Sequence, residues 1–239
     1  MIVCIIPTQK PDHILDETVG KSIRESFPVA KIIYAQENNI FECFNVSAEN
    51  WQKKYKYIPN DEDTLIFCHD DIEILSNRTQ NLKCLKVLEN PKVGFIGVAG
   101  TTILDQEAVW WRKNMQQDLH GIVYHLHKEM GLFVTFYGDN CFKPVVAMDG
   151  IFLAAKYRTI KKLGLNKPSS FEGDWDFYDI YYTAQSIEQG FVNLVVPILV
   201  FHDSLGQPRE GWFKNRIAFI AQSELPLFRR AYDGIGSRI

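Results

Sequence analysis

The chain has 239 residues, 46% of them hydrophobic, with a formal net charge of −3. That apolar content supplies a substantial core and excludes a disordered chain, and the length suits one large domain or two small ones. The slightly acidic balance lacks the basic footprint of non-specific nucleic-acid binding.

Cys4, Cys43, Cys68, Cys84 and Cys141 are widely spaced, odd in number and form no C-x-x-C pair. They read as core or free thiols, not as a disulfide framework or zinc ribbon, and reduced thiols suit a cytoplasmic setting. "MIVCIIPTQKP" has no basic leader and its apolar run stops at Pro7, so it reads as a first strand, not a signal peptide. The longest apolar tract, "FVNLVVPILVF", is too short for a bilayer and contains Asn193 and Pro197, so a soluble chain is expected.

In chain order, residues 2–6 read as a strand and 14–27 as an amphipathic helix; 30–36 is strand-like, and 47–58 is helical with Ser47 as N-cap. Residues 64–68 form the next strand, 77–90 a helix stopped by Pro91, and 92–100 another strand. This alternation implies crossover connections and a mainly parallel sheet, whose ligand crevice lies beyond the carboxyl ends of the strands. "PTQK", "QENN" and His69-Asp70-Asp71 fall there. From about residue 101 the pattern changes to antiparallel strands and loops. Core composition returns at 144–157 with a short helix to Lys162, then a helix over 174–190 closed by Gly190, then a last apolar strand ending in His202-Asp203-Ser204. No linker or repeat splits the chain, so one domain is expected, with a helical tail over 207–239.

Polar clusters end three of the apolar segments: His69-Asp70-Asp71, Met148-Asp149-Gly150 and His202-Asp203-Ser204. A fourth, Asp174, Asp176 and Asp179, opens a helix, where capping and the helix dipole also explain carboxylates. Taken alone, Asp70-Asp71 reads equally as a turn and His202 as a surface residue. Taken together, carboxylate oxygen plus imidazole nitrogen suits Mn²⁺ or Mg²⁺, particularly where a substrate phosphate completes the sphere. A divalent cation would also offset the repulsion between the two adjacent carboxylates. Other templates fail: "GFIGVAG" is not G-x-G-x-x-G, no phosphate loop or H-E-x-x-H occurs, and "FHDSLG" gives Ser204 little support as a nucleophile. His125 and His127 share one strand face and read as pocket-lining or exposed.

The ordered set "IVCIIPT", Phe44-Asn45, "LIFCHDDIEIL", "VGFIGVAG", "AMDGIFLAAK", "FYDIYYTAQSIEQGF" and "VVPILVFHDSLG" resembles GT-A-fold glycosyltransferases over roughly residues 1–206. It is most similar to the family-2-like group with a His-x-Asp version of the Asp-x-Asp motif. The resemblance implies an α/β fold of nucleotide-diphospho-sugar transferase type, Rossmann-like and mainly parallel, flanked by helices, with a smaller antiparallel portion. It implies a donor-binding half over residues 1–100 and an acceptor and metal half over 101–206. Pro7 and Thr8 would then flank the nucleotide, Gln36 or Glu37 would lie near the base, and Asn45, His69 and Asp70 would join the donor site. Asp71 and His202 would hold Mn²⁺ or Mg²⁺ against the diphosphate. Asp149 would belong to the acceptor motif, and Asp179 would be the general base of an inverting transfer to a glycan or other hydroxyl acceptor. His69, standing where relatives carry the first Asp, departs from the pattern. A lid bearing Arg209, Lys214 and Arg216, and sugar or base stacking on Trp110, Trp111 and Trp212, are weaker expectations. A nucleotidyltransferase, a nucleotide-sugar hydrolase or a non-catalytic nucleotide- or glycan-binding domain are the alternatives.

Overall fold

The computed structural model describes residues 1–45, 48–111, 117–127, 131–136, 141–204, 208–222 and 229–230. Ser47, expected as a helix cap, lies outside these residues, as does most of the tail. The first half runs β1 (Ile2–Pro7), α1 (Asp12–Glu17), α2 (Val19–Ser26), β2 (Lys31–Ala35), α3 (Ile40–Phe44), α4 (Ala48–Tyr55), β3 (Thr64–Cys68), β4 (Ile72–Ile74) and α5 (Arg78–Leu85). A 3₁₀ turn over Lys86–Glu89 leads to β5 (Val93–Gly97), β6 (Ala99–Thr101) and β7 (Ile103–Leu104). Then come β8 (Leu119–His127), β9 (Gly131–Phe136), β10 (Lys143–Val145), β11 (Ala147–Met148), β12 (Phe152–Lys156), α6 (Tyr157–Leu163), α7 (Tyr178–Glu188), β13 (Val192–Val195), β14 (Val200–His202), α8 (Glu210–Gln222) and β15 (Arg229–Arg230).

Among the described residues, the main sheet has the strand order β10-β13-β5-β12-β3-β1-β2. β3 and β5 are buried along their whole length, the composition of strands covered on both faces. Helix α3 packs on β1, and α7 on β5 and β13. The sheet is partly parallel: β2, β1 and β3 run parallel, as do β13 and β5, while β12 runs antiparallel to both β3 and β5. That reversal matters for the site. Phe152 pairs with Cys68, so the turn that feeds β12, Asp149 to Ile151, sits at the same edge as the carboxyl end of β3, and His69 N–H donates to Ile151 O at 3.1 Å.

Two apolar runs expected to be single strands each divide between sheets. β5 lies in the main sheet and β6 in the second; β13 and β14 divide in the same way. In the second sheet β14 pairs with β4 and with β8, β6 pairs with β8 and β11, and β9 completes a hairpin on β8. Where β8 pairs with β6, Gly121 lies opposite Ala99 with φ +113°, and a Cβ there would come 2.0 Å from Val98 O. Gly121→Ala is therefore expected to cost about 2–3 kcal/mol, read as a lower urea midpoint at unchanged m.

The expected helix over residues 14–27 is two helices. Thr18 separates them, its Oγ1 donating to Ile14 O at 3.0 Å, a local bond that competes with helical continuity. The helix expected from 174 starts at Tyr178 because Phe177 adopts φ 67°, so only Asp179 of the acidic trio occupies its first turn. At its other end Gly190 has φ 83° and its N–H donates to Ile187 O, the C′ role expected of it. Asn193, buried in β13, accepts from Phe95 N–H and Ser186 Oγ and donates to Thr183 O, which ties α7 to the sheet. Among the described residues no helix is long and apolar enough to cross a membrane.

Candidate active site

A cleft of about 1000 Å³ opens at the carboxyl edge of β1 and β3. The end of β1 supplies Pro7 and the loop after it Thr8 and Lys10, and the loop after β3 supplies His69, Asp70 and Asp71. Asp149 comes from the turn before β12, Asp179 from the start of α7, and His202 from the end of β14. Gln36, Glu37 and Asn45 are not among its lining residues. Gln36 Nε2 donates to Lys10 O and Asp12 Oδ1, Glu37 accepts from Lys54 Nζ and Tyr55 OH, and Asn45 N–H donates to Glu42 O.

Strand pairing places the His–Asp cluster. β4 runs antiparallel to β14 with Ile72 opposite His202, and Asp203 N–H donates to Asp71 O at 2.9 Å. Asp71 Oδ1 consequently lies 3.3 Å from His202 Nε2, and His69 Nδ1 lies 3.4 Å from the same nitrogen. One ligand atom from each of His69, Asp71 and His202 lies within 4.8 Å of the others, and Ser204 Oγ sits 3.0 Å from His202 Nε2.

The electrostatics of the trio follow from burial and proximity. Desolvation alone would raise Asp71, but hydrogen bonding to His202 and the charge beside it hold its carboxyl well below the usual carboxylate range. Desolvation would lower His202, yet Asp71 outweighs it and raises the imidazole. Burial lowers His69, and His202 reinforces that direction. An ionised carboxylate and a readily deprotonated imidazole are the states a cation requires, and a cation would replace the proton that Asp71 and His202 share. One carboxylate with two imidazoles, open to a cleft, fits a divalent transition ion better than Mg²⁺, which prefers all-oxygen ligands.

Asp70 faces other partners. It accepts from Thr8 Oγ1 at 2.6 Å and from Lys10 Nζ at 3.0 Å, so it fastens the loop after β1 to the loop after β3. His125 also lines the cleft, its Nδ1 2.9 Å from Ser204 O; the side chain of His127 lies outside the described residues.

A second carboxyl pair, Asp149 and Asp179, also lines the cleft. Asp179 Oδ2 accepts from Gly150 N–H at 3.0 Å and its Oδ1 from Ile180 N–H at 2.8 Å, while Asp149 Oδ1 accepts from Ile151 N–H. Desolvation and then the charge of Asp149 push Asp179 up to about 7, against the backbone donors. A carboxyl poised near neutrality in a cleft suits proton transfer.

Trp110, Trp111 and Trp212 line one end of the cleft, with the Trp111 and Trp212 rings 5.2 Å apart. Helix α8 is fixed there by buried Asn215, which donates to Gly173 O and Asp176 O. Of the three cations expected in a lid, Arg209 lines the cleft and pairs with Asp176, whereas Lys214 pairs with Glu172 and Glu210, and Arg216 with Glu107.

The family model described as "Glycosyltransferase like family" matches residues 33–218. This chain belongs to that family. The matched segment takes in β3 with the three residues after it, the Asp149–Gly150 turn, α7 and β14, so it contains His69, Asp71, Asp149, Asp179 and His202. None of the curated proteins matches the sequence. Among solved structures, A197 from STIV is similar at 13% identity and TM-score 0.46, covering 85% of each chain. GalNAc-T7, crystallised with UDP, GalNAc and Mn²⁺, is similar at 12% identity and TM-score 0.48, covering 89% of this chain and 45% of that one.

Sequence reasoning passed over three side chains at the site of this glycosyltransferase-like protein. Lys10 lies within the "PTQK" stretch, but only the fold shows its bond to Asp70. Ser204, weighed as a nucleophile, instead contacts a ring nitrogen of His202. Tyr178 left no signal beyond its place before Asp179, because an aromatic in a core helix reads as packing.

Proposed function

We propose that this protein is a metal-dependent glycosyltransferase that moves a sugar from a nucleotide-diphosphate donor to a hydroxyl acceptor with inversion at the anomeric carbon. The observation that carries this reading is the convergence of His69, Asp71 and His202 in a cleft that Asp149 and Asp179 also line. Membership of the glycosyltransferase-like family supports the same reaction class.

Asp71 and His202, with His69, would hold the cation. When bound, a divalent ion there offsets the negative charge of the departing nucleoside diphosphate. Thr8 and Lys10, on the adjacent loop, border the space for the donor. Asp179 accepts the proton of the acceptor hydroxyl as its oxygen bonds the anomeric carbon and the sugar–diphosphate bond breaks. Gly150 and Ile180 N–H, one on each oxygen, hold that carboxylate in position. Asp149, beside it, keeps its proton affinity high.

Titration calorimetry with UDP and with GDP, each with and without Mn²⁺, tests the reading. Saturable nucleotide binding that requires Mn²⁺ is expected. A folded protein that binds neither nucleotide under any metal condition would end it. Product analysis then separates transfer from the alternatives: sugar released without an acceptor indicates hydrolysis, and pyrophosphate indicates nucleotidyl transfer.

A further inference from the structure

We infer that Tyr178 is a positioning residue for the cation site: its hydroxyl takes the Nε2 hydrogen of His69 and so leaves Nδ1 of that ring free to ligate. This inference rests on the metal reading above and adds to it a residue that acts on the cation site through His69.

The geometry is specific. Tyr178 is buried, and its hydroxyl oxygen lies 3.0 Å from His69 Nε2 and 3.3 Å from Gly150 O. A carbonyl only accepts, and a phenol has one hydrogen. When that hydrogen goes to Gly150 O, the phenolic oxygen is left to accept, and His69 Nε2 carries the hydrogen. Nδ1 then presents a lone pair toward His202 Nε2 and Asp71 Oδ1, 3.4 and 3.9 Å away. Metal-bound histidines generally donate their other ring N–H to such an outer partner, which fixes both tautomer and ring orientation.

The surroundings preserve this contact. A Cβ at position 150 would fall 2.2 Å from the Tyr178 hydroxyl, so only glycine admits the phenol beneath the Asp149–Gly150 turn. The ring is walled by Phe44, at 5.3 Å between centroids. Phe177 takes φ 67°, a conformation costly for a bulky residue, at the point where the chain turns to start α7 with Tyr178 and Asp179. One short segment thus sets both the outer partner of His69 and the neighbouring carboxyl of Asp179.

Tyr178→Phe keeps the ring and removes the hydroxyl, leaving Nε2–H without its protein acceptor in the tautomer that ligation needs. Mn²⁺ affinity, read by the free-ion EPR signal, is expected to fall about 10- to 100-fold. His69→Ala is expected to weaken Mn²⁺ binding as well, and adding Tyr178→Phe to it should change nothing further, because the hydroxyl acts only through the ring. Unchanged affinity in Tyr178→Phe, or an equal loss in the His69→Ala background, would overturn the inference while leaving the metal site standing. Absence of Mn²⁺ binding by the wild-type protein would instead remove the metal reading and this inference with it. Should Tyr178→Phe fail to fold, ¹⁵N spectra of the metal-free wild-type protein at about pH 8, where a histidine ring is neutral, decide the matter. The Nε2–H tautomer of His69 is expected there, and the Nδ1–H tautomer would refute the assignment.

Discussion

Asp71→Ala is expected to abolish Mn²⁺-supported nucleotide binding. Asp71 is the only carboxylate among the three residues proposed to hold the cation, so the substitution leaves two imidazoles that carry no negative charge to a divalent ion. The loss should exceed the factor of about 10–100 typical of outer-shell partners, because a direct ligand and its charge both disappear. The fold should survive: the backbone carbonyl of residue 71 still accepts from Asp203 N–H, and the β4–β14 register does not depend on the side chain. Calorimetry on the variant, beside circular dichroism to verify folding, checks this. Nucleotide binding of wild-type strength in Asp71→Ala with Mn²⁺ present would remove Asp71 from the site.

Asp179→Asn should leave Mn²⁺ and nucleotide binding intact and lower transfer by about 10²–10⁴-fold, the range for loss of a positioned acid–base group. In the proposed role the working form is the carboxylate, and with Asp179 pushed up to about 7 wild-type turnover should rise with pH through that point and then level. The variant should lose this rising limb. Stability gives a second readout. Because the folded-state value lies above the ordinary carboxylate value of about 4, the unfolded chain ionises first, and stability falls as pH climbs from about 4 toward 7. Below that window both states are protonated and the group contributes nothing. Asp179→Asn removes this contribution, so its melting temperature should gain on the wild type between pH 5 and pH 8, whatever the offset from losing one of two backbone acceptor bonds. Full turnover in Asp179→Asn would show that another group takes the acceptor proton.

Much of this site follows from where polar residues terminate apolar runs. β3 was legible because a short run of strand composition, Thr64–Cys68, follows a helix and stops abruptly at a polar cluster, and its end delivers His69, Asp70 and Asp71 to a sheet edge. Likewise, His202 closes a short buried strand, and Asp179 opens a helix. What the pattern of side chains does not encode is which sheet an apolar run joins. Residues 92–100 and 191–202 look continuous, yet each passes from the main sheet into the second, and hydrophobic periodicity is the same on both sides of the crossing. The direction of β12 was equally hidden, since a fully buried strand has the same composition whether parallel or antiparallel.

Sequence alone thus determined a family-bearing order of motifs, an α/β chain, and the set of carboxylates and imidazoles gathered at strand ends. Tertiary structure alone decided how they divide. Adjacent in the chain, Asp70 and Asp71 part company: Asp70 binds Thr8 and Lys10, whereas Asp71 meets His202. The physical reason is strand geometry. Register between β4 and β14, and the antiparallel return of β12, set distances between residues far apart in sequence, and no local pattern records a register.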